Sequence, residues 1–232
     1  LDLGGGLGYY AEAAKHNGFN SALLDLDQKS TTFAHEKLGI DEVYNMSLVE
    51  FLKSEGKKFD VVFFRHVIEH VSDPQSMIVE ISKCLNKGGV LILETPNNTS
   101  VEIILRPNIF IPTVRRHKRK YPNDSVWKYI GKRIYALRSP IHLSSFRNSN
   151  LELLLEKNSL KAVSSFNYLI GDTTYWPNQT KLEFKMIVKS LMRFRFKAFF
   201  LSTLDVLFFP CRLLLQQLGY SSGICIYAKK LD

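Results

Sequence analysis

Three observations predict an α/β fold with a doubly wound, mostly parallel sheet and helices on both faces. Short apolar, β-branched runs alternate with segments of helical length from the first residue to about Glu94. A glycine-rich loop, Gly4-Gly5-Gly6-Leu7-Gly8, lies between the first strand and the first helix. The residues able to do chemistry cluster where predicted strands end, the edge on which right-handed crossovers gather ligand sites.

Taken in order, Leu1–Leu3 ends a buried strand, and the glycine loop leads into a helix from Tyr9 to Asn17. Ser21–Leu26 is the second strand, Lys29–Leu38 a helix and Glu42–Asn45 a short third strand. Phe59–Phe64 is an aromatic and β-branched run, broken only by Asp60, and reads as a fully buried strand. Asp73-Pro74 opens a helix, with the acid as N-cap and proline at the first helical position. That helix runs to about Leu85, where Asn86-Lys87-Gly88-Gly89 stops it, and Val90–Glu94 is the fifth strand. The alternation breaks from Thr99 to Ile141 and resumes with a helix over Asn148–Asn158 and a strand over Leu160–Asn167. Two basic, apolar helical segments follow, Leu182–Phe196 and Lys197–Leu218, the second interrupted by Pro210. Gly223–Ala228 is the last strand. We therefore expect a Rossmann-like core over residues 1–98, a basic aromatic lid insertion over 99–141, and a return to the core over 142–232 with a helical insertion near 182–218.

With 232 residues, 45% of them hydrophobic, the chain can bury one sizeable core, which excludes a disordered polymer. It opens inside a strand rather than with Met, and we read it as a fragment whose N-terminus is missing. Cys84, Cys211 and Cys225 lie far apart without C-x-x-C spacing, which argues against a disulfide framework or zinc ribbon. Buried or half-buried thiols in a reducing, cytoplasmic compartment are expected instead.

The net charge of +9 is concentrated: ten Lys or Arg and one acid, Asp124, lie between Arg106 and Arg138, and a second basic stretch runs from Lys181 to Lys197. Such clusters point to an anionic partner, whether phosphorylated substrate, nucleic acid or membrane surface, or to a merely solvated face. Lys185, Lys189 and Arg193 recur at four-residue spacing beside Phe184, Ile187, Val188, Leu191 and Phe194. This is the pattern of an interfacial helix, and peripheral membrane contact competes here with a substrate lid or dimer face.

The glycine loop reads G-x-G-x-G, so its backbone can approach a ligand closely at the start of a helix. A nicotinamide-binding loop would carry its third glycine at position 9, where Tyr9 stands. Asp25, at the end of the second strand, suits a carboxylate accepting hydrogen bonds from two ribose hydroxyls. Asp27 is its near competitor, and a helix-capping role is the alternative for Asp25.

These residues resemble class I S-adenosylmethionine (SAM)-dependent methyltransferases, especially the group related to ubiquinone- and menaquinone-biosynthesis enzymes. Asp2-Leu3-Gly4-Gly5-Gly6-Leu7-Gly8 is similar to their first motif, and Leu24-Asp25-Leu26 to their ribose-binding acid and its neighbour. Phe59-Asp60-Val61-Val62 through His66-Val67-Ile68-Glu69-His70-Val71 resembles a further segment, as do Leu85–Gly89 and Ile141–Phe146 with Leu151–Leu154. The resemblance implies SAM as cofactor and S-adenosylhomocysteine as product. It implies cofactor contacts at Asp2, Leu3, Gly4, Gly5, Gly6, Gly8, Asp25 and Leu26, with Asp2 holding the methionine amino group. Asn45, Met46 and Ser47 stand where the family often has an acid, so adenine would be held by backbone and Met46. Arg65 and His66 complete the set.

His66, His70 and His142 are the candidate general bases, and Glu69 could orient one of them. For His70 the competing role is capping or packing, and for His142 the shaping of a lid turn. Glu69-His70 also resembles a divalent-metal site proposed for related quinone O-methyltransferases. Arg65-His66 stands where acidic ligands would be expected, and no metal is assigned. His16, His35 and His117 are assigned to surface or loop roles.

The expected activity is methyl transfer to a small-molecule, sugar or lipid-linked acceptor, at oxygen. A nucleic-acid methyltransferase is one alternative, suggested by Tyr121, Trp127 and Tyr129 among the basic residues. Arg65-His66-Val67-Ile68 replaces the Asn/Asp-Pro-Pro-aromatic motif of its amino-directed members. A non-catalytic binding module is the other alternative.

Overall fold

The computed structural model describes residues 1–134, 142–168, 185, 188 and 196–231. The strands are β1 (Asp2–Leu3), β2 (Ala22–Leu24), β3 (Glu42–Tyr44), β4 (Phe59–Arg65), β5 (Leu85–Pro96), β6 (Leu160–Tyr168) and β7 (Gly223–Lys230). They form one seven-stranded, mixed and mostly parallel sheet in the order β3-β2-β1-β4-β5-β7-β6. The pairings of β1 with β2 and β4, of β2 with β3 and of β4 with β5 are all parallel. The helices are α1 (Tyr9–His16), α2 (Gln28–Leu38), α3 (Leu48–Ser54), α4 (Pro74–Cys84), α5 (Pro107–Lys120), α6 (Val126–Ile134), α7 (Asn148–Glu156), α8 (Phe196–Leu207) and α9 (Phe209–Gln217).

The chain divides into two compact units. The first comprises Leu1–Thr95, Asn148–Ser165 and Cys225–Asp232; the second comprises Pro96–Arg147 and Phe166–Ile224.

In the first unit the predicted elements appear within a residue or two of their expected ends, except β5, which starts at Leu85 rather than Val90 and so takes in the Asn86–Gly89 turn. Leu23, Phe64, Ile78, Ile81, Leu91 and Leu93 are fully buried, each contributing roughly 1.5–3 kcal/mol of burial free energy. Asp73 caps α4 by accepting from the Ser76 N–H at 3.1 Å, as its place before Pro74 predicts. Between Phe59 and Val61 the pairing jumps from Leu85 to Val90, so Asn86–Gly89 loops out of the β4–β5 ladder. Helix α3 was not anticipated, although its start was legible. Ser47 and Glu50 form a reciprocal capping box, and the helix buries Leu48 and Phe51.

In the second unit, the segment that breaks the alternation contains α5 and α6. Two prolines obscure α5 in the sequence: Pro107 sits harmlessly in its first turn, while Pro112 lies inside the helix. The helix ends on Lys118, Arg119 and Lys120, cations that complement the negative end of its dipole. His117, assigned above to a surface or loop role, is instead mostly buried on α5 and pairs with Asp124 at 2.9 Å. It packs 4.9 Å from the ring of Tyr129, which is itself buried and meets Phe110 at 6.2 Å. The single helical segment expected over Lys197–Leu218 is two helices, parted at Phe208, with Pro210 in the first turn of α9 where its missing N–H costs nothing. The segment expected as a helix over Leu182–Phe196 lies almost wholly outside the described residues. Asn97 ties this unit together, donating from its side chain to the carbonyls of Gly219 and Ser221, both at 2.8 Å.

Cys84 and Cys225 are buried free thiols; Cys211 is exposed rather than half-buried. Burial pushes the thiols of Cys84 and Cys225 up to about 11 and about 12.

Candidate active site

The candidate site lies in the first unit, on the C-terminal edge of β1, β2, β3 and β4. The Asp2 carboxylate is 5% exposed at the end of β1 and accepts the Ala11 N–H at 3.3 Å. Burial pushes its carboxyl up to about 6, partly offset by that hydrogen bond. Two glycines of the loop answer different demands, Gly5 one of space and Gly6 one of backbone conformation. A Cβ on Gly5 would sit 2.2 Å from Asp2 Oδ2. Gly6 adopts φ +56°, and a Cβ there would meet nothing within 4 Å, so its backbone faces open space. The loop ends at Gly8, the N-cap of α1. Leu3, by contrast, is buried in β1, and Gly4 packs close to Val67.

Asp25 and Asp27 divide the two roles open to them. Asp27 caps α2, accepting from the N–H groups of Lys29 and Ser30 and from the Ser30 hydroxyl. Asp25 caps nothing. Its carboxylate is fixed at the strand end by the Gly6 N–H and the Asp27 N–H, both at 2.8 Å, one to each oxygen. Each oxygen keeps a further lone pair for a ligand. Leu26 beside it is 74% exposed, an apolar side chain left bare at the same edge. Asn45 donates to the Asp25 carbonyl at 3.1 Å. Met46 is half-buried, with its sulfur 3.8 Å from the Ser54 hydroxyl. The Ser47 hydroxyl is occupied by the capping box of α3, donating to Glu50 at 2.7 Å.

At the end of β4 and just past it, Arg65, His66, Glu69 and His70 form a second cluster. Glu69 is buried and lies between the two histidines, 3.3 Å from His66 Nδ1 and 4.0 Å from His70 Nε2. It also accepts from the Thr95 hydroxyl at 3.1 Å. Burial alone would push its carboxyl up; His66 and the other hydrogen bonds outweigh this and hold it below the ordinary range. His66 adopts φ +52°, a left-handed backbone rare for a residue with a side chain. Such strain persists only where surrounding structure enforces it, here the hydrogen bond from its N–H to the Glu94 carbonyl at 2.8 Å. His142 is half-buried in the second unit.

Three neighbours escaped the sequence reading. Glu94 forms an ion pair with Arg65 Nε at 2.7 Å. Tyr10 hydrogen-bonds the Arg65 guanidinium and stacks beneath it, 4.9 Å from ring centroid to Cζ. Thr95 reaches Glu69 from the end of β5. Only the adjacency of Glu94 and Thr95 to a strand end could have flagged them, since their partners are tens of residues away.

A β3-β2-β1-β4-β5-β7-β6 sheet, with a glycine loop after β1 and a fixed acid after β2, defines a class I SAM-dependent methyltransferase fold. The profile of the methyltransferase domain family matches residues 1–165, and the chain belongs to that family. It is 36% identical over 104 residues to the ubiquinone biosynthesis O-methyltransferase of Caulobacter vibrioides, covering 43% of this chain and 41% of that protein. It is also 36% identical over 132 residues to the tRNA U34 carboxymethyltransferase of Campylobacter jejuni, covering 49% of this chain and 44% of that protein. The match thus spans less than half the length of these curated relatives. A SAM-dependent methyltransferase from Archaeoglobus fulgidus shares the fold, with a TM-score of 0.55 and 20% identity over 99% of this chain and 85% of that one.

Proposed function

We propose that this chain binds SAM along the edge formed by Asp2, Gly4–Gly8, Asp25 and Leu26, and transfers its methyl group to an acceptor oxygen. The observation that carries the reading is the open backbone of Gly6 between a buried carboxylate, Asp2, and a fixed one, Asp25. Asp2 answers an ammonium group, Asp25 a pair of hydroxyls, and bare Leu26 a flat base. Those are the polar and apolar ends of an amino-acid nucleoside. When bound, the cofactor supplies an electrophilic methyl group.

The chain's own task is then to align the acceptor and remove its proton. His66 is the base we assign: it accepts the hydroxyl proton, and the Glu69 carboxylate at 3.3 Å stabilises the resulting imidazolium. The acceptor we favour is a small molecule, a sugar or a lipid-linked intermediate, and the compartment a reducing, cytoplasmic one that keeps the three thiols free. The basic run of α5 and the tRNA-modifying relative favour, as a second reading, an RNA acceptor. Calorimetric titration with SAM and with S-adenosylhomocysteine tests the cofactor reading. We expect saturable heat with both and none with a nicotinamide dinucleotide; the reverse would overturn it.

A further inference from the structure

Charge divides unequally between the two units. The second carries 18 Lys and Arg against five Asp and Glu, a net +13; the first carries 13 against 17, a net −4. The whole positive excess of the chain thus belongs to the second unit. On α5, Arg115, Arg116, Lys118, Arg119 and Lys120 are exposed.

The same unit turns apolar side chains outward. On α8, Phe196 is 71%, Phe200 60% and Leu207 66% exposed. Spacings of four and seven residues place the three on one stripe. Leu214 on α9 is 56% exposed and Leu218, its C-cap, 60%, again four apart. The only two charged residues between Phe199 and Tyr220, Asp205 and Arg212, point inward and are 1% and 0% exposed. Arg212 donates to the Asp205 carbonyl at 3.1 Å and packs against the Phe209 ring. A surface helix in water shows the opposite arrangement, with charges out and leucines in.

We propose that the second unit docks on the surface of an anionic lipid bilayer. The α8–α9 stripe lies at the boundary of headgroups and acyl chains, and the basic side chains meet the phosphates. Among the described residues no single helix is long and apolar enough to cross a membrane; Phe199–Leu207 and Phe209–Gln217 reach that length and hydropathy only as a pair, across a bend of 43°, and the proposal lays both along the interface. RNA fits the exposed groups less well. Trp127, 80% exposed, and Tyr121, 44% exposed, offer rings to a base beside the basic residues, but Leu207, Leu214 and Leu218 have no ring to stack, and an apolar phase covers them where a nucleic acid does not. The proposal goes beyond methyl transfer and does not depend on it.

Flotation of the full chain with vesicles tests it. We expect binding to phosphatidylcholine vesicles containing roughly one third phosphatidylglycerol, and at least about tenfold weaker binding to phosphatidylcholine alone. The double variant Phe200→Ser, Leu214→Ser is expected to lose about tenfold in vesicle affinity while still binding SAM. Arg115→Glu with Arg119→Glu is expected to lose as much, and keeps the test decisive should the serine variant lose its fold. Equal binding to both vesicle types, or no binding at low salt, would overturn the proposal. So would tight tRNA binding that the serine variant retains, since that marks the surface as an RNA site. A chain that bound vesicles but not SAM would refute the methyltransferase reading alone.

Discussion

Arg65 and Glu94 stand opposite one another in the register of two neighbouring parallel strands, at the ends of β4 and β5, joined by a 2.7 Å ion pair. Tyr10, two residues past the glycine loop, closes over the free face of the guanidinium. Three elements that surround the candidate cofactor site are thus fastened by one side chain.

Both partners of that pair are mostly buried, so breaking it leaves a charge poorly compensated. Glu94→Gln is expected to destabilise the protein by about 1–3 kcal/mol, read as a lower midpoint in thermal or urea denaturation. Arg65→Lys keeps the charge but loses the planar stack on Tyr10, and should raise the Kd for SAM more than it lowers stability. Equal effects on both quantities would count against a positioning role.

The buried Asp2 carboxyl makes cofactor affinity depend on pH. A cationic ligand prefers the carboxylate, and Asp2 becomes protonated as pH falls through about 6. SAM affinity should therefore drop by about tenfold between pH 7 and pH 5. The unliganded protein behaves oppositely. A raised carboxyl pKa contributes stability that is present below the ordinary Asp range and lost as pH rises through about 6. Asp2→Asn should thus be more stable without ligand at neutral pH, by about 1–2 kcal/mol, yet bind SAM poorly and without the pH dependence. Calorimetry and melting curves at pH 5 and pH 7 check both signs.

Adjacent glycines should respond differently to the same substitution. Gly5→Ala drives a methyl into the Asp2 carboxylate and should cost more than about 2 kcal/mol of stability along with SAM binding. Gly6→Ala meets no protein atom, so only its left-handed backbone is penalised, by about 1–2 kcal/mol. It should fold and still lose SAM affinity, because the new methyl occupies the open space we assign to the ligand. Melting temperature and calorimetry together separate the two.

Glu69 is held below the ordinary carboxylate range, so its contribution to stability is present above that range and lost as pH falls through it. The stability difference between the parent and Glu69→Gln should be about 1–3 kcal/mol at pH 7 and shrink below about pH 4. In an assay with an identified acceptor, His66→Ala should lower kcat by roughly a hundredfold or more while leaving the Kd for SAM within a few-fold.

The alternation of apolar runs and amphipathic helices, the glycine loop and the acid twenty residues on were all readable in the chain. They depend on local rules: period, capping and turn chemistry over a few residues. Those rules yielded β1 to β5 and the edge on which the candidate site lies, while the resemblance of the motif residues supplied the family. The tertiary structure decided matters between residues far apart in sequence. It assigned capping to Asp27 and left Asp25 at the loop, because only folding sets Gly6 within 2.8 Å of one and not the other. It brought Tyr10, Arg65 and Glu94 together from three elements, and set Thr95 against Glu69. It turned Asp205 and Arg212 inward and left leucines outside, a reversal that composition cannot express because it depends on which face of each helix meets the rest of the unit.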